Sequence, residues 1–324
     1  MFQNDKDFKK TALRIGAALL LFIVLFYTAF SSIYLFFEGA LIELLGETVG
    51  GSVFQILYGL TYLAVFMLPA LFYNLLSKKD VDTPTTKYPL SFPDTVITVI
   101  AAISIIFAAA YINSWLAAIF NFLDGLDSGE SPTTFIAFLL LTFKIAIVPA
   151  VCEEFLFRRT ILHALLPYGE GFAIISSAVM FGIMHQNVLQ VFYACMAGIV
   201  LGFVYAKTRS YLCVFLIHFT NNFISVIQET VMANISDPYA SFISVTITAT
   251  VFVLGVISLI ILMTKEKTAR DVHNTGSFEK ILLPHEDHIQ KPTSFNCTKK
   301  LFLSPCVLIF TIICISFCIL TAFS

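Results

Sequence analysis

Charged side chains are scarce in this chain. Only 12% of its 324 residues are Asp, Glu, Lys or Arg, while 58% are hydrophobic; a soluble domain carries about 25% charged and about 45–50% apolar residues. That shortage excludes a water-soluble globule, which could not hide so much apolar surface. Lys and Arg total 19 against 21 Asp and Glu, and no basic stripe with interleaved aromatics occurs, so nucleic acid is not expected as a partner. A GxSxG elbow and an HExxH helix are both missing. Cysteine is sparse and odd in number, at seven. Cys152, Cys195, Cys213, Cys306, Cys314 and Cys318 fall in apolar stretches without disulfide or metal-ligand spacing, and read as small core residues. Cys152 has no evident base beside it. Neither an internal repeat nor a low-complexity tract is present.

Long apolar runs, in contrast, are plentiful. A spanning helix needs about 20 mostly apolar residues, and segments near 11–37, 52–77, 94–122, 133–160, 171–187, 188–206, 211–232, 241–263 and 301–323 meet that need. The expected fold is an all-α transmembrane bundle of eight or nine helices, nine by this reading. Lys and Arg collect on cytoplasmic loops. Lys6, Lys9, Lys10 and Arg14 precede the first segment; Lys78, Lys79 and Lys87 follow the second; Arg158 and Arg159 close the fourth. Lys207 and Arg209 follow the sixth, and Lys265, Lys267 and Arg270 the eighth. The intervening loops FEGALIELLGETVGG, LDGLDSGESP and IQETVMANISDPYA hold no Lys or Arg. This pattern predicts a multi-pass protein of the cell membrane, surrounded by membrane lipids, with a cytoplasmic N-terminus and the C-terminus outside. The first apolar run is too long for a signal peptide and lacks a cleavage site, so it is expected to stay as an anchor. Residues 265–300 read as a cytoplasmic linker, in which His285 and His288 are expected to be solvated rather than metal-bound. The chain thus divides into N-terminal helices 1–130, a core 131–232 that holds the unusual polar residues, and C-terminal helices 233–324.

Ionisable groups inside spanning helices are costly and usually face a cavity or a partner. Those here are Glu153, Glu154 and Arg158 in VPAVCEEFLFRR, His185 in MFGIMHQN, and His218 with Asn221 and Asn222 in LIHFTNNF. Lys144 stands apart from any group. Residues four apart share a helical face, while adjacent ones diverge by about 100°. Glu154 should therefore pair with Arg158, leaving Glu153 to project into a separate pocket as a carboxylate able to take a proton from water and return it. His185 lies on the face of Phe181, with Gly182 between them allowing a neighbouring helix to approach. His218 and Asn222 offer an imidazole and a carboxamide from successive turns, either as donors to a developing oxyanion or as interhelical hydrogen-bond glue. A turn at 167–171 would put Glu154 about 20 Å before it and His185 about 21 Å after it, with His218 about 14 Å past Arg209. One layer, in the cytoplasmic half and open to water, is expected. The same residues would serve proton or cation transport, or survive in a catalytically idle immunity or scaffold protein.

EEFLFR, FGIMH and HFTNN, in this order on separate apolar helices, match EExxxR, FxxxH and HxxxN motifs. The set resembles the CAAX-protease and bacteriocin-processing family, which includes the type II CAAX prenyl endopeptidases. The resemblance covers roughly 140–230. It implies a membrane peptidase with a cytoplasm-facing site, acting on a peptide or a lipidated protein. Carried over, the motifs imply that Glu153 with His185 activates water, that Glu154 with Arg158 fixes the electrostatics, and that His218 and Asn222 stabilise the oxyanion. The resemblance leaves the metal open. Glu153, His185 and His218 would be the ligands of a zinc or similar divalent ion, although a His and Asn donor pair suits direct activation by Glu and His better.

Overall fold

The computed structural model describes residues 5–77, 90–119, 132–274 and 294–323, and every regular element among them is helical. A bilayer core offers no water to unpaired backbone groups, so long apolar stretches satisfy themselves as helices. Helix α1 (Asp5–Ile33) passes through a π-helical turn (Tyr34–Glu38) into α2 (Gly39–Leu45). The chain reverses at Gly46, whose φ of 80° needs the missing Cβ, and α3 (Glu47–Ser77) begins at once. The stretch FEGALIELLGETVGG, expected as a loop, is therefore almost wholly helical. Its apolar ALIELL run packs back on α3, so closely that a Cβ on Gly50 would lie 2.4 Å from the Leu41 carbonyl oxygen.

After α4 (Phe92–Ile119) comes a composite span. It consists of α5 (Phe135–Leu141), a π-helical stretch (Thr142–Ile147), α6 (Val148–Glu154), a second π-helical stretch (Phe155–Leu162), and α7 (His163–Leu165), closed by a 3-10 turn (Leu166–Tyr168). Helix α8 (Glu170–Met184) and α9 (Val188–Thr208) form a hairpin. A Cβ on Gly182 would stand 2.1 Å from Cys195 Sγ, so this glycine does allow the expected close approach. The open end of the hairpin is tied by Lys207 to Glu170 at 2.7 Å. Helices α10 (Tyr211–Asn234), α11 (Tyr239–Asn274), α12 (Ser294–Phe302) and α13 (Pro305–Phe323) complete the chain.

The molecule is a polytopic α-helical membrane protein: eight of its described helices are long and apolar enough to cross a bilayer. Nine crossings were expected, and the difference is α8. Its 15 residues rise about 22 Å, short of the roughly 30 Å hydrocarbon core. The expected linker 265–300 is also helical where it is described. Helix α11 runs on to Asn274 because its KEKTAR tail consists largely of strong helix formers, and α12 begins inside the same stretch. His285 and His288 lie outside the described residues.

The terminal helices pack together, α1 against α13 and α3, while α4 lies between α9, α10 and α11. The composite span runs through the middle, touching α3 on one side and α8 and α10 on the others. It is this central span that carries the two glutamates.

Candidate active site

The site begins with Pro149. A proline inside a helix has no N–H for the carbonyl four residues back and crowds it, which here is that of Ile145. The chain responds by widening into a π-helical stretch just before α6, and a second π-helical stretch follows α6. Such turns recur at functional sites. Side chains of neighbouring helices attend to the carbonyls of this composite span: Asn222 Nδ2 donates to Ile145 (2.9 Å), Tyr211 to Val151 (2.5 Å) and Ser177 to Phe157 (3.0 Å). Asn222 thus has a structural duty whatever else it does. Asn222→Ala is expected to lower stability by about 1 kcal/mol, the scale of interhelical polar contacts in membranes, read as an earlier thermal transition in detergent.

Glu153, Glu154 and Arg158 are all buried. As the four-residue spacing predicts, Arg158 Nη1 donates to Glu154 Oε1 at 3.0 Å. That same oxygen accepts from His218 Nδ1 at 2.7 Å. The other imidazole nitrogen, Nε2, faces Glu153 Oε2 at 3.9 Å. The two carboxylates were expected in separate pockets. They diverge as adjacent residues must, but the two nitrogens of one ring reach both. Glu153 is held from its other side by Tyr62 of α3, whose hydroxyl donates to Oε1 at 2.5 Å. The result is a continuous polar line, Tyr62, Glu153, His218, Glu154, Arg158, assembled from α3, the central span and α10.

Phe181 gathers this line and His185 around one ring. The Arg158 guanidinium lies 4.3 Å over its face, a contact strengthened by desolvation. The rings of His185 and His218 meet it edge to face at 5.0 and 6.3 Å. His185 Nδ1 donates to the Phe181 carbonyl at 2.9 Å; because a carbonyl only accepts, a neutral ring then presents Nε2 as an acceptor. The half-buried His185 is thus brought beside the cluster through Phe181 rather than onto Glu153. Asn222 is the farther member, since it faces Ile145 and accepts from Asn221 Nδ2 at 3.0 Å. Asn221 in turn donates to the Tyr193 hydroxyl (2.9 Å).

His185 and His218 both engage Nδ1 with oxygen acceptors, which leaves Nε2 as the nitrogen that either would offer to a metal; among the described residues no group of three His, Cys, Asp or Glu side chains is placed to hold an ion. Lys144 lies 4.8 Å over the Tyr58 ring, one turn from Tyr62. A cavity of about 530 Å³ opens near the start of α3 and α5, lined by Thr48, Ser52, Gln55, Thr134 and Leu141 among others. It includes none of the site residues, and it lies at the helix ends that lack basic flanks.

Tyr62 is the site residue that the motifs do not reveal. A tyrosine among many aromatics carries no charge to mark it. Its one signal is position: Phe54, Tyr58, Tyr62 and Phe66 recur every fourth residue, and the last three stack.

Residues 134–224 match the family model of the type II CAAX prenyl endopeptidase Rce1-like proteins, a group within the family that the three motifs resemble. The matched stretch runs from the N-cap of α5 into α10 and contains Glu153, Glu154, Arg158, His185, His218 and Asn222, but not Tyr62. No curated protein and no solved structure matches the chain at a significant level.

Proposed function

We propose, proceeding from that match to a protease family, that this protein is an intramembrane endopeptidase that hydrolyses a peptide bond in a membrane-associated or lipidated peptide or protein. Water is activated by Glu153 without a metal. The observation that carries this reading is the polar line through Glu153, buried inside a membrane-spanning bundle where an idle carboxylate would be costly.

Each group has a task that follows from its contacts. Tyr62 fixes Oε1 of Glu153, which leaves Oε2 to the site. Oε2 and His218 Nε2, 3.9 Å apart, are both within hydrogen-bond reach of one water placed beside them. As that water attacks the scissile carbonyl carbon, Glu153 takes its proton and later returns it to the leaving amine, so no proton is lost or gained. Glu154, anchored by Arg158, holds Nδ1 of His218 and so sets which way Nε2 points. His218, in the form that carries a proton on both nitrogens, with Nδ1–H held by Glu154, joins the second N–H of Asn222 as the donor set for the oxyanion. His185, with its Nε2 free to accept, borders the same space. We place the site in a cell membrane with the N-terminus cytoplasmic, on the strength of the basic residues before the first span, after the second and at the end of the fourth, with the α8–α9 hairpin leaving and returning on that same side.

The test is to follow cleavage of a mixed library of lipidated and unlipidated peptides by the purified protein in nanodiscs, by mass spectrometry, with and without chelator. Cleavage is expected, and to the same extent in both conditions. Loss of cleavage on chelation that zinc restores would overturn the metal-free mechanism. A folded protein that cuts no member of the library would overturn the peptidase reading.

A further inference from the structure

The three residues His185, Gln186 and Asn187 join α8 to α9, and each does something different. His185 borders the site. Asn187 caps α9, its Oδ1 accepting from the backbone N–H groups of Leu189 (3.0 Å) and Gln190 (3.3 Å). Gln186 lies between them with a left-handed backbone, φ 53°.

Gly, and less readily Asn or Asp, adopt that conformation; a glutamine has no local reason to. The reason comes from the two ends of the chain. Tyr27 of α1 donates its hydroxyl to Gln186 Oε1. Thr321 of α13 donates to the Gln186 main-chain oxygen at 3.1 Å, and Gln186 Nε2 points at Cys314 Sγ of the same helix at 3.9 Å. Tyr27 is itself stacked on Phe317, with centroids 4.8 Å apart and planes at 25°. A side chain and a carbonyl, held from two helices, fix Gln186, the residue immediately after His185. From the other side the His185 ring is held by its bond to the Phe181 carbonyl.

We propose that Tyr27, Gln186 and Thr321 form a positioning brace that aims His185 into the site. Helices α1 and α13, which lie outside the family match, would then be working parts of the catalytic framework. The inference rests on the proposed peptidase activity for its kinetic consequence, but not for its structural one.

The decisive variant is Gln186→Gly, which removes the side chain and relieves the backbone together. Glycine takes a positive φ at no steric cost, which offsets part of the loss of the Tyr27 and Cys314 contacts, so this protein is expected to stay folded and to melt close to the wild-type temperature. Its kcat is nevertheless expected to fall about tenfold or more, because displacing a site group by about 1 Å costs up to about 10²-fold, with KM within about twofold. Tyr27→Phe, the gentler change, should lower kcat about threefold in the wild type and not at all in the Gln186→Gly background, since residues acting through one contact are not additive. The independent readout is carbethoxylation of His185 by diethyl pyrocarbonate, resolved by mass spectrometry and needing no activity. Both variants are expected to change its rate by several fold. Wild-type kcat in Gln186→Gly, or an equal Tyr27→Phe effect in both backgrounds, overturns the brace. If the wild type cuts no peptide, the functional reading has failed, yet the brace is still decided: an unchanged His185 rate in both variants overturns it and a changed rate supports it.

Discussion

Glu153→Gln is expected to slow peptide cleavage by about 10²–10⁴-fold, the usual worth of a positioned general base, while the protein stays folded. The folding half of this expectation follows from Tyr62. Its hydroxyl donates to Glu153 Oε1, and a glutamine in the same rotamer still offers an oxygen there, so the contact to α3 survives. Oε2 becomes an amide, which cannot take a proton from water. It faces His218 Nε2 across the 3.9 Å gap and offers a donor where the carboxylate could only accept. Steady-state cleavage of the best library peptide, beside a melting curve of each protein, checks both halves. A variant with undiminished kcat and an unchanged melting curve would remove Glu153 from the mechanism and with it the order of proton transfer given above.

The second large effect is on stability. Arg158→Met should destabilise the protein by about 3–5 kcal/mol, the cost of leaving one member of a buried ion pair without the other. Arg158 is 1% exposed and Glu154 0%, so water cannot replace the lost guanidinium. Methionine keeps most of the side chain's packing under Phe181, which makes charge the main change. Adding Glu154→Gln to Arg158→Met should recover part of the loss, because the stranded charge is then gone. Thermal unfolding of wild type, both single variants and the double variant in one detergent supplies the comparison. Equal melting temperatures for Arg158→Met and the double variant would mean that the loss comes from packing and not from an uncompensated carboxylate.

How far the sequence reaches into this site depends on which contacts are local. The bond between Glu154 and Arg158 was legible because four residues on one helix share a face, and the apolar runs gave the helical fold for the same kind of reason. The close approach at Gly182 was legible too, from the lack of a side chain where two helices meet. What was not legible needs knowledge of which helices touch. The bond from His218 to Glu154 spans 64 residues, and that from Tyr62 to Glu153 spans 91; no spacing rule reaches so far. The left-handed Gln186 is hidden for a related reason, since local preference argues against it and only the distant Tyr27 and Thr321 favour it. The crossing count differed because 171–187 had the composition of a span, while its helix ends at Met184 to make the turn that carries His185. Pro149 was in plain view, but the π turns around it follow from how neighbouring helices answer its missing N–H.

Those π turns also bear on how the span can change over evolutionary time. In an ordinary α-helix each residue added or removed rotates everything beyond it by about 100°, which would swing one end of a membrane span out of contact with its neighbours. A π turn holds one residue in excess of α-helical winding and can give it up, or gain another, close to where it stands. The seven residues Val148–Glu154 are flanked by such stretches on both sides. The aim of the two carboxylates is thereby insulated from the length of the span above and below them. Homologous chains that differ by a single residue in this span should carry that difference within 142–147 or 159–162, where the winding can absorb it without re-aiming the glutamates or parting Glu154 from Arg158.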